Sequence, residues 1–241
     1  MNRLVFMLLM AVMPLIAFAQ KTYYVGIGAA DVLDTYLSPY SYKGVHVSLA
    51  REVQYVHTLH NLSVSAAFAD SPAGNVDEYV GDVRYGVAHQ FELLNCNGFS
   101  LKAGPMGSAL LGAIYNSRNG NNPVQAKVAL TADLSVRAGY DLRIRNCRFP
   151  LQYTLCVPCV GVAFSPNFGQ SYYEFTLGVY DRNVKFANVF NSPSLNHRLT
   201  VGIPIGDNVL KVGYMGRVDQ SVFNHLRYHY YTHSLIIGFE L

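Results

Sequence analysis

The sequence predicts an all-β fold, and three observations lead to that prediction. From Val124 to Ile144, apolar residues alternate without a break with polar or small ones. The same alternation returns in shorter stretches along the chain, and no helical period of comparable length accompanies it. Because successive side chains of a β-strand point to opposite faces, each stretch is interpreted as a strand that meets two different environments.

The N-terminal segment differs from the rest of the chain. Arg3 supplies a positive charge, a short apolar run follows, and Ala17-Phe18-Ala19 is a small-x-small pattern typical of signal-peptide cleavage. The apolar run is shorter than the roughly twenty residues that a membrane-spanning helix needs. We therefore predict that residues 1–19 are a cleaved signal peptide and that residues 20–241, beginning at Gln20, form one exported domain.

The mature chain contains the other alternating stretches. We interpret the following ranges as strands, in chain order: 22–29, 45–50, 62–68, 82–93, 99–104, 124–144, 151–157, 173–179, 184–190, 199–205, 210–214 and 235–241. The patterns of 22–29 and 184–190 are the weakest, so the expected number of strands is about twelve, within a range of ten to twelve.

The connections between these strands fall into two classes that alternate along the chain. Short connections lie at 58–61, 95–98, 145–148, 181–183 and 206–208, and longer polar ones lie at 33–42, 70–78, 116–123, 166–171, 191–196 and 219–227. Outer-membrane barrels have tight periplasmic turns and longer outer loops. We therefore predict an antiparallel transmembrane β-barrel with its N- and C-termini in the periplasm of a Gram-negative envelope. A soluble β-sandwich or a lipocalin-like barrel is the alternative.

Several segments resemble a Bacteroidetes-type family of outer-membrane β-barrel proteins of unknown function. The resemblance rests on Asp34–Pro39, Pro166–Glu174, Asn191–Leu195, Leu199–Val201, Gly213-Tyr214, Gln220, Asn224, His229, His233 and Gly238. It covers most of the mature chain and implies an outer-membrane location and a barrel fold. Its motifs name no chemistry.

Composition narrows the classes of partner. The full sequence carries a formal net charge of +3 without a run of like charges, so it lacks the basic patch of a nucleic-acid-binding protein. We expect outer-membrane lipid and the barrel-insertion machinery as partners and a small solute as a possible one. We expect no nucleic acid and no cofactor.

The charged residues define the expected lumen. The polar faces of the strands carry eight basic residues (Arg84, Lys102, Lys127, Arg137, Arg143, Arg198, Lys211 and Arg217) and eight acidic ones (Glu52, Asp82, Glu92, Asp133, Asp141, Glu174, Asp219 and Glu240). Such a balance is typical of paired side chains that fill a small lumen, whereas a charge-selective pore shows a ring of one sign. The candidate lumen or constriction residues are Lys127, Asp133, Arg137, Asp141, Arg143, Asp82, Arg84, Arg198 and Lys211. Asp133 and Arg137, four residues apart on one face, could neutralise each other.

Four cysteines are candidates for disulfides in an exported protein: Cys96, Cys147, Cys156 and Cys159. Three pairings are possible, and the sequence does not choose among them. The spacing of Cys156-Val-Pro-Cys159 matches a thiol-disulfide exchange motif, but such motifs begin a helix, whereas this one lies in a strand-like run.

The remaining chemical motifs are weak. His46-Val47-Ser48 is similar to the site of a lipid-cleaving barrel enzyme, but it lies on the predicted lumen face and lacks a recognisable oxyanion hole. His225, His229 and His233 recur every four residues, and His229 and His233 would lie on one face of a strand. Because the sequence shows no carboxylate beside these two that would complete a zinc site, we predict no metal site.

Together these observations predict an outer-membrane barrel without enzymatic activity, of porin-like type. We expect a passive diffusion channel or a structural barrel with a charge-balanced lumen. The alternative is a surface-binding or adhesion barrel that acts through Tyr-rich outer loops. A lipid-active enzyme is the weaker alternative.

Overall fold

A computed structural model of the protein describes residues 19–145 and 147–241. Nearly all of the predicted signal peptide lies outside the described residues. The elements are β1 (Gln20–Asp34), β2 (Ser41–Gln54), β3 (Thr58–Asp70), β4 (Asp77–His89), β5 (Phe91–Cys96), β6 (Phe99–Asn116), β7 (Val124–Ile144), β8 (Cys147–Phe164), α1 (Tyr172–Thr176), β9 (Val184–Asn188), β10 (Ser194–Ile205), β11 (Asn208–Phe223) and β12 (Leu226–Glu240). The longest alternating run of the sequence is therefore confirmed as β7, with the bounds that the alternation predicts.

The strands close into an antiparallel barrel. The ring runs β1-β2-β3-β4-β6-β7-β8-β10-β11-β12, and β12 pairs with β1 to complete it. β5 pairs with the part of β6 beyond the end of β4, and β9 pairs with the part of β8 beyond the end of β10. The ring thus contains ten of the twelve strands, and the expectation of about twelve strands around the barrel is corrected to the lower end of the predicted range.

The two ends of the barrel differ, as the two classes of connection predict. One end, called the turn end, carries the short connections 55–57, 97–98 and 206–207 and both termini, where Lys21 N donates to Leu241 O at 3.3 Å. The other, called the loop end, carries the connections 35–40, 71–76, 117–123 and 165–183. Both termini therefore lie on the same side of the barrel.

The structure differs from the prediction in the long connection 165–183. The range 173–179, predicted as a strand, instead forms α1 and the residues after it, inside the long 165–183 connection. The Ser171 side chain accepts from the Glu174 N–H and caps the helix, and Gly178 adopts a φ of 78° that ends it. Local capping outweighs the alternating pattern here, so Glu174 lies in a loop instead of the lumen, and the tight turn predicted at 181–183 is part of the same loop.

The range 219–227, predicted as a long loop, is a tight hairpin. β11 continues to Phe223 and β12 starts at Leu226, with Asn224 and His225 at φ angles of 51° and 64° between them. Two central residues with positive φ are typical of the two-residue turn that matches the twist of paired strands. This range was predicted as a loop because its residues are mostly polar, but they form the paired ends of two strands.

The barrel is apolar outside, and inside it combines buried polar residues with apolar clusters such as the one that contains Val32, Val80 and Ile114. Outward side chains such as Ile27 and Leu235 are 61% and 72% exposed, whereas the inward Glu52 is 3% exposed. Aromatic residues flank the outer apolar band, with Phe68, Tyr79 and Tyr115 at the loop end and Tyr23, Tyr140 and Phe239 at the turn end. A surface of this kind, apolar and bordered by aromatic residues, is typical of barrels that stand in lipid. In the described part of the chain, no helix has both the length and the apolar character to cross a membrane.

Candidate functional site

The lumen is crossed by three layers of ion pairs. The lower layer, nearest the turn end, centres on Glu52 of β2. Arg137 of β7 approaches its Oε1 with Nη2 at 2.6 Å, and Arg198 of β10 contacts its Oε2. Because β7 and β10 each lie four places from β2 in the ring, the two arginines reach this carboxylate from the far wall. The ion pairs of the lower layer therefore connect β2, β7 and β10 across the lumen.

The middle layer joins β4 to β11. Arg217 contacts Asp82 at 2.8 Å through Nη1 and Asp219 at 2.5 Å through Nε, and Arg84 Nη2 lies 2.8 Å from the same Asp219 oxygen. Ser65 Oγ donates to Asp82 at 2.9 Å. β4 and β11 are five places apart in a ring of ten, so this layer spans the full width of the lumen.

The upper layer lies near the loop end. Lys127 Nζ of β7 contacts Asp34 Oδ2 of β1 at 2.6 Å and lies 3.6 Å from the centre of the Tyr228 ring. These two strands are again five places apart. A cation held by both a carboxylate and an aromatic face is favoured where water is scarce.

The energetics of these layers are asymmetric. Removing two charges from water costs about as much as their attraction returns, so a buried ion pair adds little net stability. Removing only one partner leaves the other buried without compensation, and the cost is about 3–5 kcal/mol. The layers therefore fix the side chains that fill the lumen in one arrangement, because each alternative arrangement would strand a charge.

Most of the sequence-predicted lumen residues are where the alternation predicts. Six of the nine candidates face the lumen and form ion pairs there: Asp82, Arg84, Lys127, Arg137, Arg198 and Lys211. Lys211 pairs with Glu240 on the adjacent strand. Glu52, Arg217 and Asp219 also face the lumen, as predicted from the same alternation.

Two candidates are wrongly placed by the prediction. Asp141 and Arg143 follow the same alternation, but β7 extends beyond β6 at the turn end, and there Asp141 pairs with the exposed Arg148 while Arg143 is exposed. They form no part of a constriction.

The expected neutralisation of Asp133 by Arg137 is also wrong. Residues four apart on a strand are separated by roughly 13 Å, too far for contact. Arg137 instead reaches Glu52 across the lumen, and Asp133 accepts hydrogen bonds from Ser108 Oγ at 2.5 Å and Cys156 Sγ at 3.3 Å.

The sequence analysis missed Asp34 in the upper layer. It lies an even number of residues from Thr22 on β1, on the inward face of that strand. The signal was present, but the strand was predicted to end at residue 29, so Asp34 was assigned to a loop.

The four cysteines are free thiols in the structure. Cys96 and Cys147 are exposed near the turn end, and Cys156 and Cys159 are half-buried in β8. Between the latter two, β8 shifts its register against β7, so Cys156 faces the lumen while Cys159 Sγ contacts the Val157 carbonyl at 3.3 Å. The disulfides predicted from the even cysteine count are not formed here.

The histidines are dispersed. His46 and Ser48 face the lumen as predicted, but His46 Nδ1 lies 2.8 Å from Ser234 Oγ instead of forming a pair with Ser48. His229 Nε2 lies 3.0 Å from Asp31 Oδ1, on the outer face of the barrel. Among residues 19–145 and 147–241, no three His, Cys, Asp or Glu side chains come together as a metal site.

Cavities lie both in the lumen and at the loop end. One of about 100 Å³ lies in the lumen between the middle and upper layers, lined in part by Arg84, Lys127, Ser108 and Pro158. Another, of about 550 Å³, opens at the loop end, and its lining includes Leu37, Pro39, Tyr40, Tyr42, Asn75, Arg118 and Asn119.

Comparisons with known proteins identify the family. Residues 15–240 match the model of a family described as protein of unknown function (DUF3316), and the chain belongs to that family. No curated protein matches the sequence.

Several solved structures are similar in fold. The outer membrane protease OmpT from Escherichia coli is 9% identical over 92% of this chain and 95% of its own, with a TM-score of 0.49. The translocator domain of autotransporter NalP from Neisseria meningitidis is 10% identical over 98% of this chain and 94% of its own, with a TM-score of 0.38. Neisserial surface protein A is 10% identical over 92% of this chain and 96% of its own, with a TM-score of 0.34.

Proposed function

We propose that this protein is an outer-membrane β-barrel with a closed lumen, a structural barrel instead of a passive diffusion channel. The observation that carries the proposal is the set of three ion-pair layers, each of which joins opposite or nearly opposite walls. A diffusion channel needs a continuous aqueous path between its walls, and here charged side chains occupy that path at three levels.

The apolar outer surface supports the proposed location. Large exposed side chains such as Val25, Ile27 and Leu130 would expose a costly apolar area to water, whereas lipid accepts them. The predicted signal peptide provides the route of export, and barrel-insertion machinery would assemble the strands in the membrane. In this orientation the turn end with both termini faces the periplasm, and the loop end faces outward.

We propose no enzymatic role. His46 and Ser234 resemble a base and a nucleophile in distance, but each is only 1% exposed and a lipid substrate would have no access to them. The same burial applies to the weaker alternative of a lipid-active enzyme that uses His46 and Ser48.

Planar-bilayer recording tests the closed lumen. Purified protein, shown to be folded by heat-modifiable migration on gels, is expected to give no stepwise conductance, while a general porin inserted under the same conditions does. Liposomes that carry the protein should likewise admit arabinose no faster than empty ones. Regular conductance steps from folded, unmodified protein would overturn the proposal.

The cavity at the loop end favours a second candidate, a surface-binding barrel. Tyr40, which lines it, is 62% exposed, and Arg118 is exposed beside it. The floor is ordered, because Asn119 Nδ2 donates to the Leu37 carbonyl at 3.1 Å and Arg118 N–H donates to Asn116 Oδ1 at 3.1 Å. An aromatic ring beside amides and a cation is suited to a carboxylated sugar.

Binding to immobilised oligosaccharides tests this candidate. Tyr40→Ala and Arg118→Ala are expected to lose binding of carboxylated oligosaccharides. Tyr173→Ala removes a ring that is 70% exposed but does not line the cavity, so it should bind as the parent does. Absence of binding by the folded parent, or equal loss in all three variants, would rule out a site in this cavity.

A further inference from the structure

Two sulfur atoms and a carboxylate meet on the lumen wall formed by β6, β7 and β8. Cys156 Sγ lies 3.7 Å from Met106 Sδ and 3.3 Å from Asp133 Oδ2. The register explains the meeting, because Met106 is directly opposite Asp133 and Cys156 is directly opposite Ser135, two residues further along β7. All three side chains point inward from neighbouring strands. This group is called the sulfur cluster below.

Asp133 in this cluster has no ion-pair partner among the residues that the structure describes. It is 6% exposed, and its two donors, the Ser108 hydroxyl and the Cys156 thiol, are both uncharged and both contact Oδ2. Its other oxygen, Oδ1, is buried without a hydrogen-bond partner among the described residues, and no cation of those residues forms an ion pair with this carboxylate. A buried carboxylate without an ion pair is costly, so its presence points to a bound cation.

The distances within the cluster fit one metal ion. Two sulfur ligands, each about 2.3 Å from an ion at a tetrahedral angle, would lie about 3.8 Å apart. The observed sulfur separation is 3.7 Å. An oxygen ligand at about 2.1 Å and the same angle would lie roughly 3.6 Å from one of the sulfurs, and the observed separation of 3.3 Å is slightly shorter.

Gly86 provides the room for the thioether. It lies on β4 directly opposite Ser108 of β6, and a Cβ placed there would be 1.9 Å from the Met106 methyl carbon. The absence of a side chain at residue 86 therefore lets the Met106 side chain lie beside Cys156. The lumen cavity, which is lined by Ser108 and Pro158, adjoins the cluster and leaves space for an approaching ion.

We propose that Met106, Asp133 and Cys156 form a binding site for a soft metal ion, Cu(I). A thioether and a thiolate are ligands that soft ions prefer, and the thioether favours Cu(I) over harder divalent ions. Binding replaces the proton on Cys156 with the metal, and that proton leaves to solvent; the ion enters and stays as Cu(I), without a change of oxidation state. Asp133 supplies the third ligand through the carboxylate that is otherwise uncompensated.

Competition for Cu(I) tests the site. The parent for the test is the full barrel carrying Cys96→Ser and Cys147→Ser, which removes the two exposed thiols that would bind copper nonspecifically. With ascorbate, under nitrogen, the folded parent is expected to take one Cu(I) from the chromophoric chelator bicinchoninate. We expect Cys156→Ser to weaken binding by at least about 100-fold and Met106→Leu by about 10–100-fold.

A matched control lies on the same strand. Cys159→Ser removes a half-buried thiol whose Sγ contacts the Val157 carbonyl and neither Met106 nor Asp133, so it should bind Cu(I) as the parent does. X-ray absorption of the loaded parent should show two sulfur ligands. Failure of the folded parent to bind, full affinity in Met106→Leu, equal losses in Cys156→Ser and Cys159→Ser, or a spectrum with fewer than two sulfurs would each overturn the proposal. Binding of Zn²⁺ as tight as that of Cu(I) would overturn the assignment of a soft ion.

Discussion

The middle layer and the sulfur cluster bury carboxylates to the same extent in one lumen but compensate them differently. Asp82 is 7% exposed and has Arg217 at 2.8 Å. Asp133 is 6% exposed, and its partners are the Ser108 hydroxyl and the Cys156 thiol. Asp82 has an ion-pair partner within the chain, whereas Asp133 has none among the described residues.

This difference between the two carboxylates distinguishes a residue that helps to close the lumen from a residue that is suited to bind a cation there. A carboxylate that already holds an arginine has little to gain from an external cation, so the layers serve to keep the walls together. A carboxylate that holds only neutral donors gains both charge neutralisation and a ligand when a cation arrives. The exposed fraction of a lumen carboxylate therefore does not tell whether the carboxylate stabilises the barrel or binds a cation; its partners do.

Removing the shared cation of the middle layer has the largest expected effect. Arg217→Ala leaves Asp82 without its ion pair and leaves Asp219 with Arg84 alone. We expect the free energy of unfolding to fall by about 3–5 kcal/mol, because one charge stays buried without compensation. Urea unfolding of the barrel in detergent measures the change. A loss below about 1 kcal/mol would show that the layer does not hold the walls.

Removing one carboxylate charge should destabilise the middle layer but not the sulfur cluster. Asp82→Asn strands the guanidinium of Arg217 and is expected to lower the free energy of unfolding by about 2–3 kcal/mol. Asp133→Asn removes an uncompensated charge and is expected to leave stability unchanged or raise it by about 1 kcal/mol in metal-free protein. Equal losses in the two variants would remove the distinction between the two regions.

A methyl group at residue 86 should disturb the sulfur cluster alone. Gly86→Ala brings a carbon against the Met106 methyl, and we expect a loss of about 1–3 kcal/mol from overpacking. Met106→Ala in the same chain removes the clashing group, so the double variant should lose less than the sum of the two single losses. Strict additivity would show that residue 86 does not set the position of the thioether.

The fold was largely predictable because alternation is a direct consequence of strand geometry. β7 has the predicted bounds, and the inward charges of several strands follow from the same period. The number of strands in the closed ring was harder to predict from the sequence. β5 and β9 pair with one neighbouring strand each and lie outside the ring, and only the strand pairing shows this. The helix α1 was missed because Tyr173, Phe175 and Leu177 alternate as a strand would, although Ser171 caps a helical turn there.

The arrangement of the lumen was less predictable than its composition. Alternation shows which side chains face inward, but partners across the lumen lie far apart in sequence, such as Arg198 and Glu52, which are separated by 146 residues. The contacting residues of the sulfur cluster are also far apart in sequence, since Met106 and Cys156 are separated by 50 residues. Neither a spacing nor a motif brings them together; the register of three strands does.

The smallest expected effect concerns the part of β7 that leaves the barrel. Arg143 continues the inward alternation of Arg137 but is exposed beyond the end of β6, where water solvates its charge. We expect Arg143→Ala to change the free energy of unfolding by no more than about 0.5 kcal/mol. Arg137→Ala, the counterpart on the same strand, leaves the Glu52 carboxylate with one cation fewer. It should lower the free energy of unfolding several times more. A large loss from Arg143→Ala, measured in the same urea titration, would mean that the lumen layers extend below Glu52 to the turn end.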